Sequence, residues 1–346
     1  MSFRAAVVGA GRMGKLHARV LSEMDDTDLV CVVDTNPAAA QAVAKQRDCE
    51  ALTDPADAVD KVDGAIISVP TVHHLAAAKP FLAAGKHVLI EKPLADTVEA
   101  ARELLALAES TGAGIQVGHT ERFNPAVLGL RKYRIEPKFI EAHRISPFTF
   151  RSADIGVVFD MMIHDIDLVL MMVQSDVREV SAVGVNVIGE HEDICNARLL
   201  FENGCVANIT ASRLAIKTER KMRIFSEAAY LSVDYGKKVG LAVNKEANID
   251  LIQMARDLDV DDLPELAENV DYKSLLNVEE LTVDDSAEPL RQQAEAFRRT
   301  VVDGVRPVVT GADGFAAVDV ASRIVESLKE HSWDGGPTGR KGLDIL

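Results

Sequence analysis

Asp160, His164 and Asp167 recur at offsets of four and three in the run DMMIHDID, a spacing that sets three ionisable side chains on one helical face. A histidine flanked there by carboxylates is held in one tautomer and stabilised as imidazolium, as suits an acid/base group. Ile163, Ile166 and Leu170 give the same segment an apolar face. The D-x-x-x-H-x-x-D spacing also suits a divalent metal, and helix capping within a satisfied polar cluster is the plain alternative. The four cysteines (Cys31, Cys49, Cys195, Cys205) form no C-x-x-C pair, and no partner His or Cys cluster completes a metal shell. No metal is therefore expected. Cys31 and Cys205 lie in apolar, strand-like runs and read as buried, reduced thiols.

Glu91-Lys92-Pro93 follows the apolar run His87–Ile90. The C-terminal edge of a parallel sheet is where open α/β folds bind ligands, so Lys92 is placed beside bound substrate or cofactor. Burial, and the cationic ring of a nicotinamide, lower the pKa of such an amine and make it an acid/base group. Pro93 fixes the local backbone, with a cis bond open to it. Taken alone, a surface lysine before a turn is the simpler explanation of the tripeptide, and it gives way only when the other motifs are counted with it.

Gly9-Ala10-Gly11-Arg12-Met13-Gly14 is a G-x-G-x-x-G run between an apolar strand, Ala5–Val8, and an amphipathic helix. In that context it is a dinucleotide fingerprint. Gly9 permits the tight turn, Gly11 lets the backbone approach a pyrophosphate, and Gly14 allows close helix packing. The helix N-terminus offers free N–H groups to the phosphates. Asp34 ends the next strand, where a carboxylate receives the adenosine ribose hydroxyls. A 2′-phosphate there meets like charge, and Thr35-Asn36 supply no arginine to offset it. NAD is favoured over NADP.

The elements that must position these groups alternate over the first third of the chain. Ala5–Val8, Leu29–Val33, Ala65–Val69, His87–Ile90 and Gly114–Val117 are short, β-branched runs predicted as buried strands. Lys15–Met24, Pro37–Gln46, Val72–Ala84 and Thr97–Ser110 are predicted as helices, the last capped by Asp96-Thr97 and stopped at Gly112. Strict alternation implies a doubly wound parallel sheet covered on both faces.

After about residue 120 the pattern changes. Lys138–Ser146, Val177–Ile188, Asn196–Phe201, Cys205–Ser212, Lys221–Phe225 and Tyr230–Tyr235 read as longer strands, with a hairpin signal at Glu202-Asn203-Gly204. One helix, about Asp160 to Val173, interrupts them. This is a large, open, mainly antiparallel sheet, one face of which a second subunit can cover. Asp257–Asp271 reads as a solvated acidic excursion, and helices over Glu288–Val302 and Gly314–Lys329 should pack back on the body. The expected organisation is α/β: a Rossmann domain over 1–120, an α/β substrate-binding and oligomerisation domain over 121–332, and a flexible tail over 333–346.

Composition bounds the function. Apolar residues make up 47% and charged residues 27% of 346, enough for two cores and unlike a disordered chain. A formal charge of -16 repels nucleic acid and anionic membrane. No apolar run approaches the roughly twenty residues that span a bilayer, and the N-terminus lacks a signal-peptide layout. A cytoplasmic enzyme is expected. Against that acidic background Arg213, Lys217, Arg220, Lys221 and Arg223 form a dense basic run, and Arg122, Arg144 and Arg151 add positive charge near the expected cleft. A diphosphate explains such concentration, because arginine forks bind phosphate bidentately. A solvated strand edge or a subunit contact explains it equally.

Taken together, these motifs resemble those of the Gfo/Idh/MocA family of NAD(P)-dependent sugar and inositol dehydrogenases over nearly the whole length. The residues that carry the resemblance are Gly9-x-Gly11-x-x-Gly14, Ser68-Val69-Pro70-Thr71-Val72-His73, Glu91-Lys92-Pro93 and Asp160-x-x-x-His164-x-x-Asp167. It implies that Lys92, Asp160 and His164 are catalytic and that Ser68, Pro70, His73 and Glu91 line the cofactor. It also implies subunits paired through the open sheet, as a homodimer or homotetramer. Gly118-His119-Thr120-Glu121-Arg122-Phe123-Asn124-Pro125-Ala126 and His143-Arg144-x-x-Pro147-Phe148-x-x-Arg151 are similar to segments of members acting on UDP-amino sugars, the UDP-N-acetylglucosamine 3-dehydrogenases. That narrower resemblance places His119, Arg122, Asn124, Arg144, Arg151, Asp160, His164 and Arg213 around the substrate, and implies an aminotransferase that consumes the 3-keto product. His164, oriented by Asp160 and Asp167, or Lys92 itself, would then take the hydroxyl proton. The alternatives are a dehydrogenase of a free sugar or inositol, a NAD-dependent glycosidase on the same scaffold, and a NAD-sensing regulator.

Overall fold

The computed structural model describes residues 2–149, 155–188, 190–245, 278–284, 286 and 288–330. Arg151, the acidic stretch 257–271 and the tail 333–346 lie outside the described residues.

Six parallel strands form the first sheet: β1 (Phe3–Val8), β2 (Thr27–Val33), β3 (Glu50–Leu52), β4 (Gly64–Ile67), β5 (His87–Glu91) and β6 (Ile115–Gly118). Their order, β3-β2-β1-β4-β5-β6, reverses direction between β1 and β4. That switch point lies beside the glycine fingerprint, where this topology binds dinucleotides. β4 and β6 are buried at every residue, as strands covered on both faces must be. The helices are α1 (Arg12–Ser22), α2 (Pro37–Arg47), α3 (His74–Ala83) and α4 (Val98–Thr111). Thr97 caps α4 by accepting the Ala100 N–H at 3.2 Å, and Gly112 ends it in the left-handed region at φ 73°. β3 has no counterpart in the sequence reading. With three residues, an exposed Glu50 and half-buried Ala51 and Leu52, it is too short to show alternation.

Among the described residues the second sheet has eight strands: β7 (Pro137–Ile145), β8 (Val177–Val185), β9 (Ile194–Phe201), β10 (Val206–Ser212), β11 (Glu219–Ser226), β12 (Ala229–Asp234), β13 (Val239–Asn244) and β14 (Val278–Glu280). Their order is β14-β13-β12-β11-β7-β10-β9-β8, antiparallel throughout except for the central β7–β10 pair. β9 and β10 meet at the Glu202-Asn203-Gly204 turn, where Gly204 takes φ 83°. Period-two alternation gives the sheet an inner face of Ile140, Ala142, Ala197, Ile209, Met222 and Ile224, all fully buried.

That inner face is covered by α6 (Ile163–Val173), which a π-helical turn, Val158–Met162, precedes, and by α8 (Gly311–Glu330). A short helix, α5 (Pro125–Gly129), links the two sheets. The last helices return to the body as the sequence suggests: α7 (Pro289–Asp303) lies on the first sheet. There Phe297 meets Phe3 edge-on, centroids 5.7 Å apart, and both rings are fully buried. Burying such a ring contributes roughly 1.5–3 kcal/mol, so the C-terminal end of the chain completes the N-terminal core.

Candidate active site

The first wall is the fingerprint turn. Gly9 adopts φ 103°, and a Cβ there would stand 2.6 Å from the Ser68 carbonyl oxygen. A Cβ on Gly14 would be driven into the Gly9 carbonyl oxygen. Gly11 differs: nothing lies within 4 Å of the position its Cβ would take. It is the N-cap of α1, with no side chain capping the helix and no acidic residue in the first turn. The first N–H groups of α1 therefore open onto free space beside the exposed Gly11 and Arg12 and the half-buried Met13, an arrangement that fits a pyrophosphate. Ser68 stands behind the turn and donates towards Val8 O and Gly9 O at 3.1 and 3.2 Å. Asp34 accepts the Ala10 N–H at 2.7 Å and the Asn36 N–H at 2.8 Å, which fixes its carboxylate at the end of β2 with lone pairs to spare for ribose hydroxyls. Pro70 and His73 are exposed on the loop after β4.

The second wall begins at the end of β5. Glu91 is buried, with its Oε1 2.6 Å from Nε2 of His17 on α1. Burial works to raise its pKa, but the bond to His17 and the neighbouring Lys92 outweigh it and hold the carboxyl below its ordinary value. The Lys92–Pro93 bond is cis. His74 bridges the two loops, its Nδ1 3.0 Å from Pro93 O and its Nε2 3.1 Å from Val69 O. Neither His17 nor His74 was singled out in the sequence. Both sit at helix positions where a core histidine is unremarkable, and only the three-dimensional pairing reveals their work.

Lys92 reaches across to the second sheet's helix. Its Nζ donates to the Asp160 carbonyl oxygen at 2.6 Å and stands 3.5 Å from the Asp160 carboxylate. Burial lowers its pKa, and Asp160 and Glu91 oppose that without cancelling it. His164 follows one turn later. It is half-buried, its Nδ1 is shut away from solvent with no hydrogen-bond partner among the described residues, and its pKa lies well below the usual histidine value. Burial is the main cause, with the charges of Lys92 and Arg144 next. The ring of His119, fully buried at the end of β6, meets His164 edge-on with centroids 6.5 Å apart. Neither His119 nitrogen has a hydrogen-bond partner among the described residues, although its Nδ1 stands 4.0 Å from the Asp167 carboxylate.

Two expectations are corrected here. Burial and the charges of Lys92 and Arg144 push the His164 pKa down, the opposite direction from the stabilised imidazolium expected. Asp167 does not orient it either. Its carboxylate is fully buried in a two-point ion pair with Arg122, at 2.8 and 2.6 Å.

The residues expected around the substrate divide in the same way. Arg144 is buried against Asp165, at 2.6 and 3.1 Å, and against Glu121 at 2.9 Å. Arg213 is buried with Nε 2.6 Å from Asp193 and Nη1 2.7 Å from Ile155 O. Asn124 caps α5 through Ala126 N at 3.0 Å and donates to Glu121 at 3.0 Å. Arg122, Arg144, Asn124 and Arg213 thus spend their polar groups inside the protein, where a buried arginine must be paired. Two of these pairs pin α6, on either side of Ile166, to the elements around it. His119, Lys92, Asp160 and His164 are the members brought together. Among the described residues, no group of three or more His, Cys, Asp or Glu side chains could hold a metal ion, and no helix is long and apolar enough to cross a membrane.

Comparison with known proteins agrees with this geometry. Residues 3–119 match the oxidoreductase family with an NAD-binding Rossmann fold, and residues 136–232 match the GFO/IDH/MocA C-terminal domain. The chain is 37% identical over 233 residues to UDP-N-acetylglucosamine 3-dehydrogenase of Acidithiobacillus ferrooxidans, which covers 67% of this chain and 74% of that one.

The chain belongs to the Gfo/Idh/MocA family.

A solved structure of the A. ferrooxidans enzyme superposes with a TM-score of 0.83 at 28% identity, over 95% of this chain and 99% of that one. Inositol 2-dehydrogenase of Rhizobium meliloti is 25% identical over 344 residues, 95% of this chain and 98% of that one. As a Gfo/Idh/MocA protein the chain is an NAD-dependent dehydrogenase acting on a CH–OH group. The open, uncapped start of α1 and the fixed Asp34 carboxylate are the features that fit NAD.

Proposed function

We propose that this dehydrogenase oxidises the 3-hydroxyl of UDP-N-acetylglucosamine to the 3-keto sugar nucleotide, in the cytoplasm, for a partner aminotransferase. The observation that carries the chemistry is the bond from Lys92 Nζ to the Asp160 carbonyl at 2.6 Å, four residues before His164, which brings the lysine's charge close enough to lower the pKa of that imidazole. A neutral imidazole accepts the hydroxyl proton; the adjacent ammonium stabilises negative charge developing on the oxygen. Asp160 holds Lys92 in place through its carbonyl and carboxylate. NAD, when bound, supplies the two-electron acceptor. The choice of sugar nucleotide is supported by the likeness to the A. ferrooxidans enzyme over nearly its whole length.

The outer face of the second sheet exposes Val183, Val185, Ile194, Phe225 and Val239. A second copy covering that face supports a homodimer, or a homotetramer built from such pairs.

A second reading, a dehydrogenase of inositol or a free sugar, is favoured by the end-to-end match to the R. meliloti protein. The test is to incubate the protein with NAD and, in turn, UDP-N-acetylglucosamine, N-acetylglucosamine and myo-inositol, with an aminotransferase and glutamate drawing off any keto sugar. NADH absorbance with UDP-N-acetylglucosamine alone is the expected result. Turnover of myo-inositol alone selects the second reading, and release of UDP without NADH points to glycosidase chemistry.

A further inference from the structure

Strand alternation sorts the basic run of β11 into two sets. Glu219, Lys221, Arg223 and Phe225 point to the outer face, where Lys221 lies opposite His143, and Arg223 opposite Glu141 at 3.5 Å. Arg220 shares the other face with the fully buried Met222 and Ile224. That is the face covered by α6, and in the register of β11 and β7 the partner of Arg220 is Arg144, which grips the residue next to His164. Arg220 therefore stands at the end of the inner face, in line with the catalytic helix.

Its surroundings differ from those of the other arginines on this face. Arg144 is 5% exposed and meets two carboxylates; Arg220 is 47% exposed. Its one ion pair among the described residues is to Glu121 Oε1 at 3.8 Å, beyond hydrogen-bond range. That same oxygen already accepts from Arg144 at 2.9 Å. A guanidinium has five N–H donors in a planar fork, and those of Arg220 make no hydrogen bond within the described protein. Its charge nevertheless reaches the active site, where it contributes to depressing His164.

We propose that Arg220 is the specificity residue that binds the diphosphate of a nucleotide-linked sugar while the sugar ring lies against Lys92 and His164. The inference rests on the sugar-nucleotide reading above and assigns its anionic part to one side chain. The role expected of Arg213 and Arg144 passes to the arginine whose only ion pair among the described residues is long, at 3.8 Å, and half-exposed. A planar fork in a half-exposed position binds a phosphate bidentately without first breaking a buried ion pair.

The test compares Arg220→Met, Arg220→Lys and, as a control on the opposite face, Lys221→Met. KM and kcat for UDP-N-acetylglucosamine are measured beside the affinity for UDP alone, determined by calorimetry. Losing the equivalent of one charge-assisted hydrogen bond, as suits a half-exposed site, weakens binding by about tenfold to a hundredfold. The expected result is that KM and the UDP dissociation constant both rise by that factor in Arg220→Met, with kcat nearly unchanged, partial recovery in Arg220→Lys and none of this in Lys221→Met. Unchanged UDP affinity in Arg220→Met overturns the inference, as does a loss confined to kcat, which would make Arg220 an electrostatic neighbour of His164 only. If the wild-type enzyme fails to oxidise UDP-N-acetylglucosamine, the sugar-nucleotide reading falls. UDP binding then still decides for Arg220: dependence on the arginine supports the anion site, and absence of binding removes it.

Discussion

The amine of Lys92, at the end of the first sheet, donates a 2.6 Å hydrogen bond to the backbone carbonyl of Asp160, in the π-helical turn before the second sheet's helix. One bond thus joins the cofactor half of the protein to the helix that carries His164. A π-turn leaves carbonyls free of the regular ladder and recurs at functional sites. Here it presents one to the lysine.

Replacing Lys92 by Met or His164 by Ala should lower kcat by about a hundredfold to ten-thousandfold, the usual range for a positioned acid or base. NAD affinity, read by fluorescence titration, should change little, since neither side chain touches the fingerprint turn. Near-full turnover in both variants contradicts the assignment.

The pH profile follows from the two depressed pKa values. His164 must be neutral to accept a proton, so the acid limb of kcat/KM should lie below the ordinary 6.5 of histidine. Lys92 must be charged to stabilise the oxygen, so the alkaline limb should lie below the ordinary 10.5 of lysine. The Asp160 carboxylate pulls the Lys92 value upward, and Asp160→Asn should therefore move the alkaline limb to lower pH. A limb that moves upward, or stays, excludes Lys92 as its source.

Gly11 and Gly14 separate the needs of the cofactor from those of the fold. Gly11→Ala meets open space, so stability should stay within about 0.5 kcal/mol of wild type while NAD affinity falls by about tenfold or more. Gly14→Ala forces a Cβ into the Gly9 carbonyl and should lower the midpoint of urea unfolding even without cofactor. Equal stability losses in the two variants would show that the open space at Gly11 is not kept for a ligand.

Removing His17 leaves Glu91 buried without its partner. His17→Ala should cost about 3–5 kcal/mol of stability, the range for breaking a buried pair, and the His17→Ala/Glu91→Ala double variant should recover part of it. Because the folded Glu91 value is depressed, its contribution is present above the ordinary carboxyl range and is lost as pH falls through the folded value. The wild-type stability curve should show that loss on the acid side of 4.5. Purely additive losses across the double-variant cycle argue against a coupled pair.

Much of this was legible in the residues themselves. The glycine run, the strand punctuation and the capping Thr97 are local signals, and local chemistry enforces them. That Lys92 would meet the segment carrying Asp160 and His164 was legible from its place at a strand end; the π-turn that holds Asp160 was not. The fates of Arg122, Arg144 and Arg213 were not, since a free arginine and a buried one have the same letter. Their partners, Asp167, Asp165 and Asp193, lie 45, 21 and 20 residues away, and only the fold chooses between a solvated and a paired guanidinium. Arg220 stood in the same run as Arg213, and strand parity alone tells it from Lys221 and Arg223.

The central claim is tested most directly with UDP-N-acetylglucosamine carrying deuterium at C3 of the sugar. The enzyme is given this substrate and NAD, and both products are weighed by mass spectrometry. Deuterium should appear in NADH, and a 3-keto sugar nucleotide should form. Deuterium retained in the sugar, with NADH formed or absent, would contradict the claim.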